Sequence, residues 1–402
     1  MEPIKITDNI YWVGAVDYDI RDFHGYLTPH GSTYNAYLIV DKKITLIDAV
    51  KHGFEDELLS RISKVVDPSK IDQVVSNHAE MDHSGALPGT LRAIGIEKPV
   101  YASAMGVKNL SGQFKGAGLN IKPIAGPLDV GSDNLVFVET RMIHWPDSMF
   151  SFLPSQGVLF SQDGFGMHLA APERFDDEVD EDFWRPLALN YFANILTPYT
   201  AQIAKVLEKV TADGLVPQIK VICPDHGFVW RKDPAKILSL YSELVQQKPK
   251  RKAVIVFDTM WHSTEYMARE LTDHLSRQGI ETHYYSLKNR HRSAVATECY
   301  EAAAIIVGSP TINNQMFPSV ADLLCYLKSL KMKNKIAAAF GSHGWSGEGA
   351  KLVQAELKTM GYNVPFDEVR VQWVPNEQDL LPLKALGQSI SEEIKKVAGD
   401  KA

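Results

Sequence analysis

A strict alternation of apolar strands and amphipathic helices in the C-terminal part of this 402-residue chain limits the folds open to it. The predicted strands are Ala253–Phe257, Thr282–Leu287, Ala303–Val307, Ile336–Phe340 and Val369–Trp373. The predicted helices are Thr264–Arg277, Val320–Leu330, one that ends near Met360 and one that closes the chain. Parallel strands need long and usually helical connections, so this rhythm predicts a doubly wound α/β fold with a five-stranded parallel sheet.

The N-terminal part alternates short β-rich runs with turns and with occasional helices. Its predicted elements are the strands Ile10–Gly14, Ala36–Ile39, Ile44–Ile47, Val136–Thr140 and Val158–Phe160 and the helix Gln202–Val210. This pattern predicts an α/β sandwich of two sheets with outer helices. The polar and basic stretch Gln246–Lys252 contains a proline and is interpreted as a linker. We therefore predict two domains, residues 1–248 and 252–402.

Composition restricts the partners and the compartment. A net charge of −7 argues against nucleic acid and against anionic membrane surfaces as partners. No apolar run approaches the roughly 20 residues that span a bilayer, and the start of the sequence lacks a signal-peptide core. Cys223, Cys299 and Cys325 lie far apart, which suits the cytoplasm and supplies no CxxC pair. Any iron–sulfur electron donor is therefore expected to be a separate protein.

The most concentrated group of metal-ligand residue types is the segment His78-Ala-Glu80-Met-Asp82-His83. Its histidines and acids are more ligands than one ion usually takes from a single segment, so the pattern predicts a dinuclear site. The segment follows the apolar run Ile71–Val75 and precedes a predicted helix start at Ser84. Loops after strand ends are where α/β proteins commonly bind ligands.

Three later residues can complete this site. His144 and Asp163 each follow a strand predicted above, and His226 follows a further predicted strand, Lys220–Cys223, so all three could converge at one rim of the sandwich. A single histidine is usually an ordinary surface or core residue, but that explanation fits poorly for three residues at equivalent positions.

Four neighbouring residues have two open interpretations each. Asp147 and Asp225 could accept the second ring N–H of a ligand histidine, or be ordinary turn aspartates. Tyr191 and His168 could supply protons near a metal, or be structural.

The loop after the first C-terminal strand resembles the phosphate loop of flavodoxins. Its predicted cofactor-binding residues are Thr259, Met260, Trp261, His262, Ser263 and Thr264. Hydroxyl and backbone N–H groups at a helix start can surround a phosphate. The loop contains no lysine, which favours the monophosphate of FMN over a nucleoside triphosphate. Simple N-capping by Ser263 or Thr264 is compatible with this role.

Two further loops follow the third and the fourth C-terminal strand. Their predicted cofactor-binding residues are Ser309, Pro310, Thr311, Asn313, Ser342, Gly344 and Trp345. Small residues let backbone amides approach a flavin edge, and Trp345 can stack on its ring.

The metal-ligand segments resemble, in order, those of the metallo-β-lactamase superfamily, whose first motif reads HxHxDH. This chain has Glu80 in place of the second histidine. Three carboxylates among histidines suit redox-active iron better than a hydrolytic zinc pair. Together with the flavodoxin-like half, this departure makes the chain similar over essentially its full length to the flavodiiron proteins.

The resemblance implies an αββα sandwich followed by a flavodoxin-like domain, with two iron ions and one FMN. One iron would take His78, Glu80 and His144, and the other Asp82 and His226. Asp163 and an oxo or hydroxo group would bridge them. For His83 the resemblance leaves open whether the ring binds iron or is displaced by solvent.

The resemblance also implies the activity and the partners. The expected reaction is reduction of O₂ to water, of NO to N₂O, or of both, with electrons relayed through FMN from rubredoxin or a similar carrier. A head-to-tail homodimer, or a tetramer, is the expected assembly. Both gases need the same centre, so the residues leave the preferred gas open.

Two other functions compete with this one. The first is a di-zinc hydrolase of the lactamase type fused to a flavodoxin module; Glu80 and the flavin loops speak against it. The second is a non-catalytic electron carrier or flavin sensor with a degenerate first domain. The full set of candidate ligands speaks against that alternative.

Overall fold

The computed structural model describes residues 1–398, which form two compact units. The first unit comprises residues 1–23, 28–191 and 199–245. The second comprises residues 24–27 and 192–198 together with the chain from Gln246 onward. The predicted domain bounds of 1–248 and 252–402 stay a prediction. No helix among residues 1–398 is long and apolar enough to cross a bilayer.

Short strands dominate the chain up to residue 224. In chain order they are β1 Ile4–Lys5, β2 Ile10–Trp12, β3 Ala15–Asp17, β4 Asp22–Phe23, β5 Tyr26–Leu27, β6 Ser32–Tyr34, β7 Tyr37–Ile39, β8 Ile44–Ile47, β9 Ile71–Val75, β10 Pro99–Ala102, β11 Asn120–Pro123, β12 Leu128–Asp129, β13 Asn134–Glu139, β14 Met149–Leu153, β15 Val158–Gln162 and β16 Val221–Pro224. The helices up to residue 245 are α1 Glu55–Ser63, α2 Met81–Ser84, α3 Leu87–Ile94, α4 Ala104–Gln113, α5 Glu181–Tyr191, α6 Thr200–Ala212 and α7 Pro234–Leu244. Single 3₁₀ or π turns occupy Pro68–Lys70, Asp176–Glu178, Phe192–Leu196, Thr197–Tyr199 and Val216–Gln218.

Two sheets pack as a sandwich in the first unit. One has the order β1-β2-β7-β8-β9-β10-β11 and the other β12-β13-β14-β15-β16. Buried side chains of both sheets, among them Ile39, Val75 and Phe160, belong to one apolar cluster. On the outer face of the first sheet, Leu58 of α1 and Leu91 of α3 join a second cluster. The layers are therefore those of the expected αββα sandwich.

Strand direction explains why distant segments meet at one rim of the second sheet. β13 pairs antiparallel with β14, β14 pairs antiparallel with β15, and β15 pairs parallel with β16. Hence β13, β15 and β16 run the same way, and the chain leaves all three at the same edge. The segments that leave there carry His144, Asp163 and His226.

The second unit is built on a parallel sheet. Its strands are β17 Lys250–Phe257, β18 Glu281–Ser286, β19 Ala302–Gly308, β20 Ile336–His343 and β21 Val369–Gln372. Its helices are α8 Ser263–Arg277, α9 Arg292–Glu301, α10 Pro318–Leu330, α11 Glu348–Thr359 and α12 Leu381–Ala398. The order β18-β17-β19-β20-β21, with every pair parallel, is that of flavodoxins. This order reverses at β17, so the loops after β17 and β19 border the crevice where such sheets bind ligands.

Three details differ from the sequence expectations. α9 was not predicted, because its buried residues are mostly small and show no apolar stripe. Lys250–Lys252 belong to β17 rather than to a linker; Lys252 is buried with its Nζ 2.5 Å from Glu298 Oε2. The helix expected at Ser84 begins at Met81, so Asp82 and His83 lie on the single turn of α2.

Candidate metal centre and cofactor loops

The loop that carries His78 is anchored before it reaches the site. Both the backbone N–H and the side-chain amide of Asn77 donate to Asp48, at 2.6 and 2.8 Å. The Ser151 hydroxyl donates to the amide oxygen of Asn77. Because these groups are buried and bonded to one another, the chain leaving β9 has one fixed path toward the metal-ligand residues.

The sequence-predicted metal ligands come together in two adjacent groups. Within each group the ligating atoms lie within 4.8 Å of one another. The first group consists of His78, Glu80, His144 and Asp163, and the second of Asp82, His83 and His226. Imidazole nitrogens mixed with carboxylate oxygens form a donor set that iron and other transition metals accept.

Asp163 faces both groups with different oxygens. Its Oδ2 lies 2.9 Å from His144 Nε2 and 3.3 Å from His78 Nε2. Its Oδ1 lies 3.0 Å from His83 Nε2 and 3.4 Å from His226 Nε2. One carboxylate thus presents one oxygen to each group, an arrangement that suits a bridging ligand.

The other two carboxylates each serve one group. Glu80 Oε2 lies 3.2 Å from His78 Nε2 and 3.1 Å from His144 Nε2. Asp82 Oδ2 lies 3.2 Å from His226 Nε2 and 3.4 Å from its neighbour His83 Nε2. Every histidine therefore directs Nε2 inward and leaves Nδ1 for contacts outside the groups.

Burial makes these charges interdependent. His78 and His83 are fully buried, and Asp163 is 1% exposed. Burial alone would lower the pKa of both imidazoles, but the neighbouring carboxylates raise the pKa of His78 well above its usual value and that of His83 to about 10. The same contacts raise the pKa of His144 to about 9 against the effect of burial. The groups therefore favour positive charge, which metal ions would supply in place of protons.

The imidazoles have the opposite effect on the carboxylates. Burial alone would raise the pKa of Asp163, but His83, His144 and His78 hold it well below its usual value. The pKa of Glu80 is likewise lowered, because contacts with His144 and His78 outweigh the effect of burial. The acids consequently present ionised oxygens, the form that binds a cation.

Contacts on the outer side orient the rings. Asp147 Oδ2 lies 3.2 Å from His78 Nδ1 and accepts the Ala79 N–H at 2.6 Å. His226 Nδ1 lies 2.6 Å from the Thr33 carbonyl oxygen. Such contacts direct Nε2 toward a metal. Asp225 Oδ2 lies 3.5 Å from His83 Nδ1, and burial together with nearby Asp48 raises the pKa of Asp225 well above its usual value.

His168 and Tyr191 adjoin the second group. The His168 ring centroid is 4.5 Å from that of His226 and 5.1 Å from that of Tyr191. Burial, with His226 adding to it, lowers the pKa of His168 well below its usual value, and burial raises that of Tyr191. Both side chains are therefore neutral beside the site.

Sequence reasoning overlooked two residues that brace the centre. Asp48 directly follows β8 and holds Asn77, and Asn109 Nδ2 donates to Asp147 Oδ1 at 2.9 Å. Asp48 was detectable, since it follows an apolar strand as the other site residues do. Asn109 lies on α4, where nothing in the sequence distinguishes it from a surface residue.

The loop after β17 contains a buried hydroxyl suited to a ligand. Within residues 1–398, Thr259 Oγ1 has no hydrogen-bond partner, although the side chain is buried. Thr264 Oγ1 lies 2.8 Å from Ser342 Oγ, which ties this loop to the one after β20. Ser263 begins α8, a helix of 15 residues whose first N–H groups face this loop. An orphan hydroxyl beside a helix start fits a phosphate group.

The hydroxyls of the second loop hold the loop itself. Ser309 Oγ accepts the Phe317 N–H and donates to the Pro310 carbonyl, both at 2.9 Å. Thr311 Oγ1 accepts the Gly349 N–H at 3.0 Å, near the start of α11. The backbone is thereby left as the main source of ligand contacts on this loop.

Exposed tryptophans lie on these loops. Trp261 is 86% exposed, Trp345 87% and Trp373 60%. The ring centroids of Trp345 and Trp373 are 6.4 Å apart, and a Cβ atom at Gly344 would come within 2.9 Å of the Trp373 ring. Trp373, just past β21, was not predicted as a cofactor residue. Flat aromatic surfaces of this kind fit a planar ring such as isoalloxazine.

Family models and relatives agree with this layout. The flavodoxin family matches residues 255–383, and a family described as ODP family beta lactamase matches residues 33–227. A rubredoxin-oxygen oxidoreductase of Megalodesulfovibrio gigas is 42% identical over 98% of this chain and 99% of its own length. The chain belongs to the flavodiiron protein family.

Two further comparisons extend this result. A nitric oxide reductase of Moorella thermoacetica is 41% identical over 98% of this chain and 99% of its own length. The crystal structure of the flavodiiron protein from Giardia intestinalis superimposes with a TM-score of 0.94, at 33% identity, over 99% of this chain and 98% of that one. This flavodiiron chain is therefore an oxidoreductase, and the di-zinc hydrolase alternative is not favoured.

Proposed function

We propose that this flavodiiron protein reduces O₂ to water, NO to N₂O, or both, at a diiron centre that is recharged through FMN. The observation that carries the proposal is Asp163, whose two oxygens face two separate ligand groups. The names of the relatives support both gases, since one is a rubredoxin-oxygen oxidoreductase and the other a nitric oxide reductase. The former also supports rubredoxin, or a similar small carrier, as the electron donor.

We assign the residues of the two ligand groups to the two ions as follows. His78, Glu80 and His144 would hold one iron, Asp82 and His226 the other, and Asp163 would bridge them together with an oxo or hydroxo group. His83 Nε2 is directed at the same Asp163 oxygen as His226 Nε2, so it can bind the second ion or hydrogen-bond to Asp163. Asp147 and the Thr33 carbonyl would keep His78 and His226 in the orientation that binding needs.

When bound, two ferrous ions and one reduced flavin together supply the four electrons that convert O₂ to two waters, and the ions alone supply the two that convert two NO to N₂O. The chain's own residues would hold and orient these groups. The carboxylates of Glu80, Asp82 and Asp163 would balance much of the cationic charge. Neutral His168 and Tyr191 line the second group without adding charge.

The loops of the second unit would hold FMN. Thr259 and the first N–H groups of α8 would bind the phosphate, because the Thr259 hydroxyl lacks a partner within the described chain. Trp345, with Trp373 beside it, would contact the flavin ring. Ser309 and Thr311 would act indirectly, by keeping their loop in place.

We expect a head-to-tail homodimer, or a tetramer built from it, in the cytoplasm. The exposed Trp261 and Trp345 beside the flavin loops are apolar surface that a second copy would cover. The free thiols of Cys223, Cys299 and Cys325 suit a reducing compartment. Sedimentation velocity of the FMN-loaded protein measures the assembly, and a monomer would contradict this part of the proposal.

Gas consumption by the purified, iron-loaded and FMN-loaded protein tests the function. With reduced rubredoxin as the donor, we expect consumption of O₂ or NO, measured with a gas electrode. We expect no consumption when the same protein is loaded with Zn²⁺. The ratio of the two rates gives the preferred gas. Zinc in the protein as isolated, with hydrolysis of a thioester or phosphodiester and no gas consumption, would establish the hydrolase instead.

A further inference from the structure

Gln162, the last residue of β15, makes hydrogen bonds to three segments that carry metal-ligand residues. Its Nε2 donates to the carbonyl oxygen of Ile143, the residue before His144, at 2.6 Å. Its Oε1 accepts the N–H of Asp163 at 2.6 Å. Its backbone carbonyl accepts the N–H of Asp225, the residue before His226, at 2.8 Å.

The setting of Gln162 indicates a specific role rather than a general packing role. The residue is fully buried, and its φ of +45° lies in the left-handed region that side-chain-bearing residues rarely adopt. The pairing of β15 with β16 shifts register between Phe160 and Gln162. Irregular strand ends of this kind re-aim side chains beside functional sites.

We infer that Gln162 is a positioning residue that fixes the Asp163 carboxylate and the His144 imidazole relative to each other. The inference rests on the proposed metal centre, in which these two groups, 2.9 Å apart, bind the same ion. The Gln162 amide bonds the backbone on both sides of that contact. Without this amide, the buried Ile143 carbonyl and the buried Asp163 N–H each lose a hydrogen-bond partner. The Asp163 carboxylate and the His144 imidazole are then free to move apart.

The test compares two buried glutamines in the full-length, FMN-loaded protein. Gln162→Met removes both side-chain hydrogen bonds at similar length. The matched control is Gln73→Met, because Gln73 on β9 is also buried and its amide also makes two hydrogen bonds, donating to Thr45 Oγ1 and to the Asp129 carbonyl. Each protein is reconstituted anaerobically with Fe²⁺. Iron per chain, release to a chelator and the electron paramagnetic resonance spectrum are then measured.

We expect Gln162→Met to release iron about 10- to 100-fold faster than wild type and to show an altered spectrum, as for other residues that support metal ligands. Gln73→Met should lose thermal stability but keep wild-type iron release. Equal release and an unchanged spectrum in Gln162→Met, with a stability loss matching the control, would overturn the inference.

A second variant decides the matter if Gln162→Met does not fold. Gln162→Glu keeps the acceptor for the Asp163 N–H but loses the donor to Ile143, so it should also release iron faster; wild-type release and spectrum would overturn the inference. Failure of the proposed function is separable. A wild-type protein that holds two ions but consumes neither gas contradicts the function, while the release comparison still tests Gln162.

Discussion

The two ligand sites of this protein are built in opposite ways. The metal centre consists of buried, ionisable side chains that neutralise one another; His78 and His83 are fully buried. The flavin loops offer a few hydroxyls, backbone groups and tryptophans up to 87% exposed. Removal of a single ligand side chain should therefore abolish or strongly reduce metal binding. Removal of a single loop contact should only weaken FMN binding, because three loops share the contacts.

The largest effect is expected from Asp163→Ala. Both ligand groups lose an oxygen, so we expect iron loading and gas reduction to fall at least about 100-fold, with FMN still bound. Iron analysis, flavin absorbance and gas electrodes measure the three quantities. Asp129→Ala, which removes an exposed acid 2.7 Å from Lys43 Nζ, is the control and should behave as wild type. Full iron loading in Asp163→Ala would contradict the bridging role.

Iron loading should depend steeply on pH, whereas FMN loading should not. Carboxylates outweigh burial and raise the pKa of His83 to about 10 and of His144 to about 9, so in protein stripped of metal these rings hold protons at neutral pH. An arriving ion must displace them, and the apparent affinity for Fe²⁺ should fall as pH is lowered, about tenfold per pH unit for each proton displaced. Titrations between about pH 6 and pH 8 measure this dependence. A flat profile would contradict it.

A smaller effect is expected from Thr259→Val. The Thr259 hydroxyl has no partner among residues 1–398, so removing it should weaken FMN binding about tenfold, one hydrogen bond's worth, with little change in the stability of the flavin-free protein. Thr90→Val is the matched control, because the buried hydroxyl of Thr90 on α3 also lacks a partner within the described part of the chain. Flavin release by fluorescence compares the two variants; equal affinity in both would remove Thr259 from the site.

A separate effect, on stability alone, concerns Lys335, which is buried in the second unit. Its Nζ donates to the Tyr300 and Ala302 carbonyls at 2.5 and 2.7 Å. Burial lowers its pKa to about 7, below the usual lysine value. Between that pH and about 10, Lys335 is protonated in the unfolded chain but mostly deprotonated in the folded chain. The free energy of unfolding should therefore rise with pH, by up to about 1.4 kcal/mol per pH unit. Thermal midpoints at about pH 7 and pH 9 should show this rise in wild type and a smaller one in Lys335→Met.

The sequence predicted the fold class of both halves, several of their strands and the residues that could converge. Apolar runs located β8 and β15, and strand ends placed His144, Asp163 and His226 where parallel neighbours deliver them to one rim. Glu80 pointed to redox chemistry because it places an oxygen ligand where the metallo-β-lactamase motif has a histidine nitrogen. The resemblance of these segments to those of the flavodiiron proteins is confirmed by full-length relatives.

Other features depend on contacts that spacing does not encode. Trp373 stands about 30 residues beyond Trp345 and meets it only because β20 and β21 are neighbours. The role inferred for Gln162 depends on the two backbone groups that its side chain reaches, and the sequence does not show where that side chain points. Lys252 was interpreted as part of a linker because lysine side chains are usually exposed. It is buried because its ammonium pairs with Glu298, and the sequence does not reveal that pairing.

The division of the chain has a practical consequence for genetic dissection. Residues 24–27 and 192–198 are assigned to the second unit, although they lie far upstream of Gln246. A gene fragment that starts at the apparent junction would therefore encode a flavodoxin half lacking two of its own pieces. Swapping halves between relatives should succeed only when those two short stretches travel with the C-terminal portion.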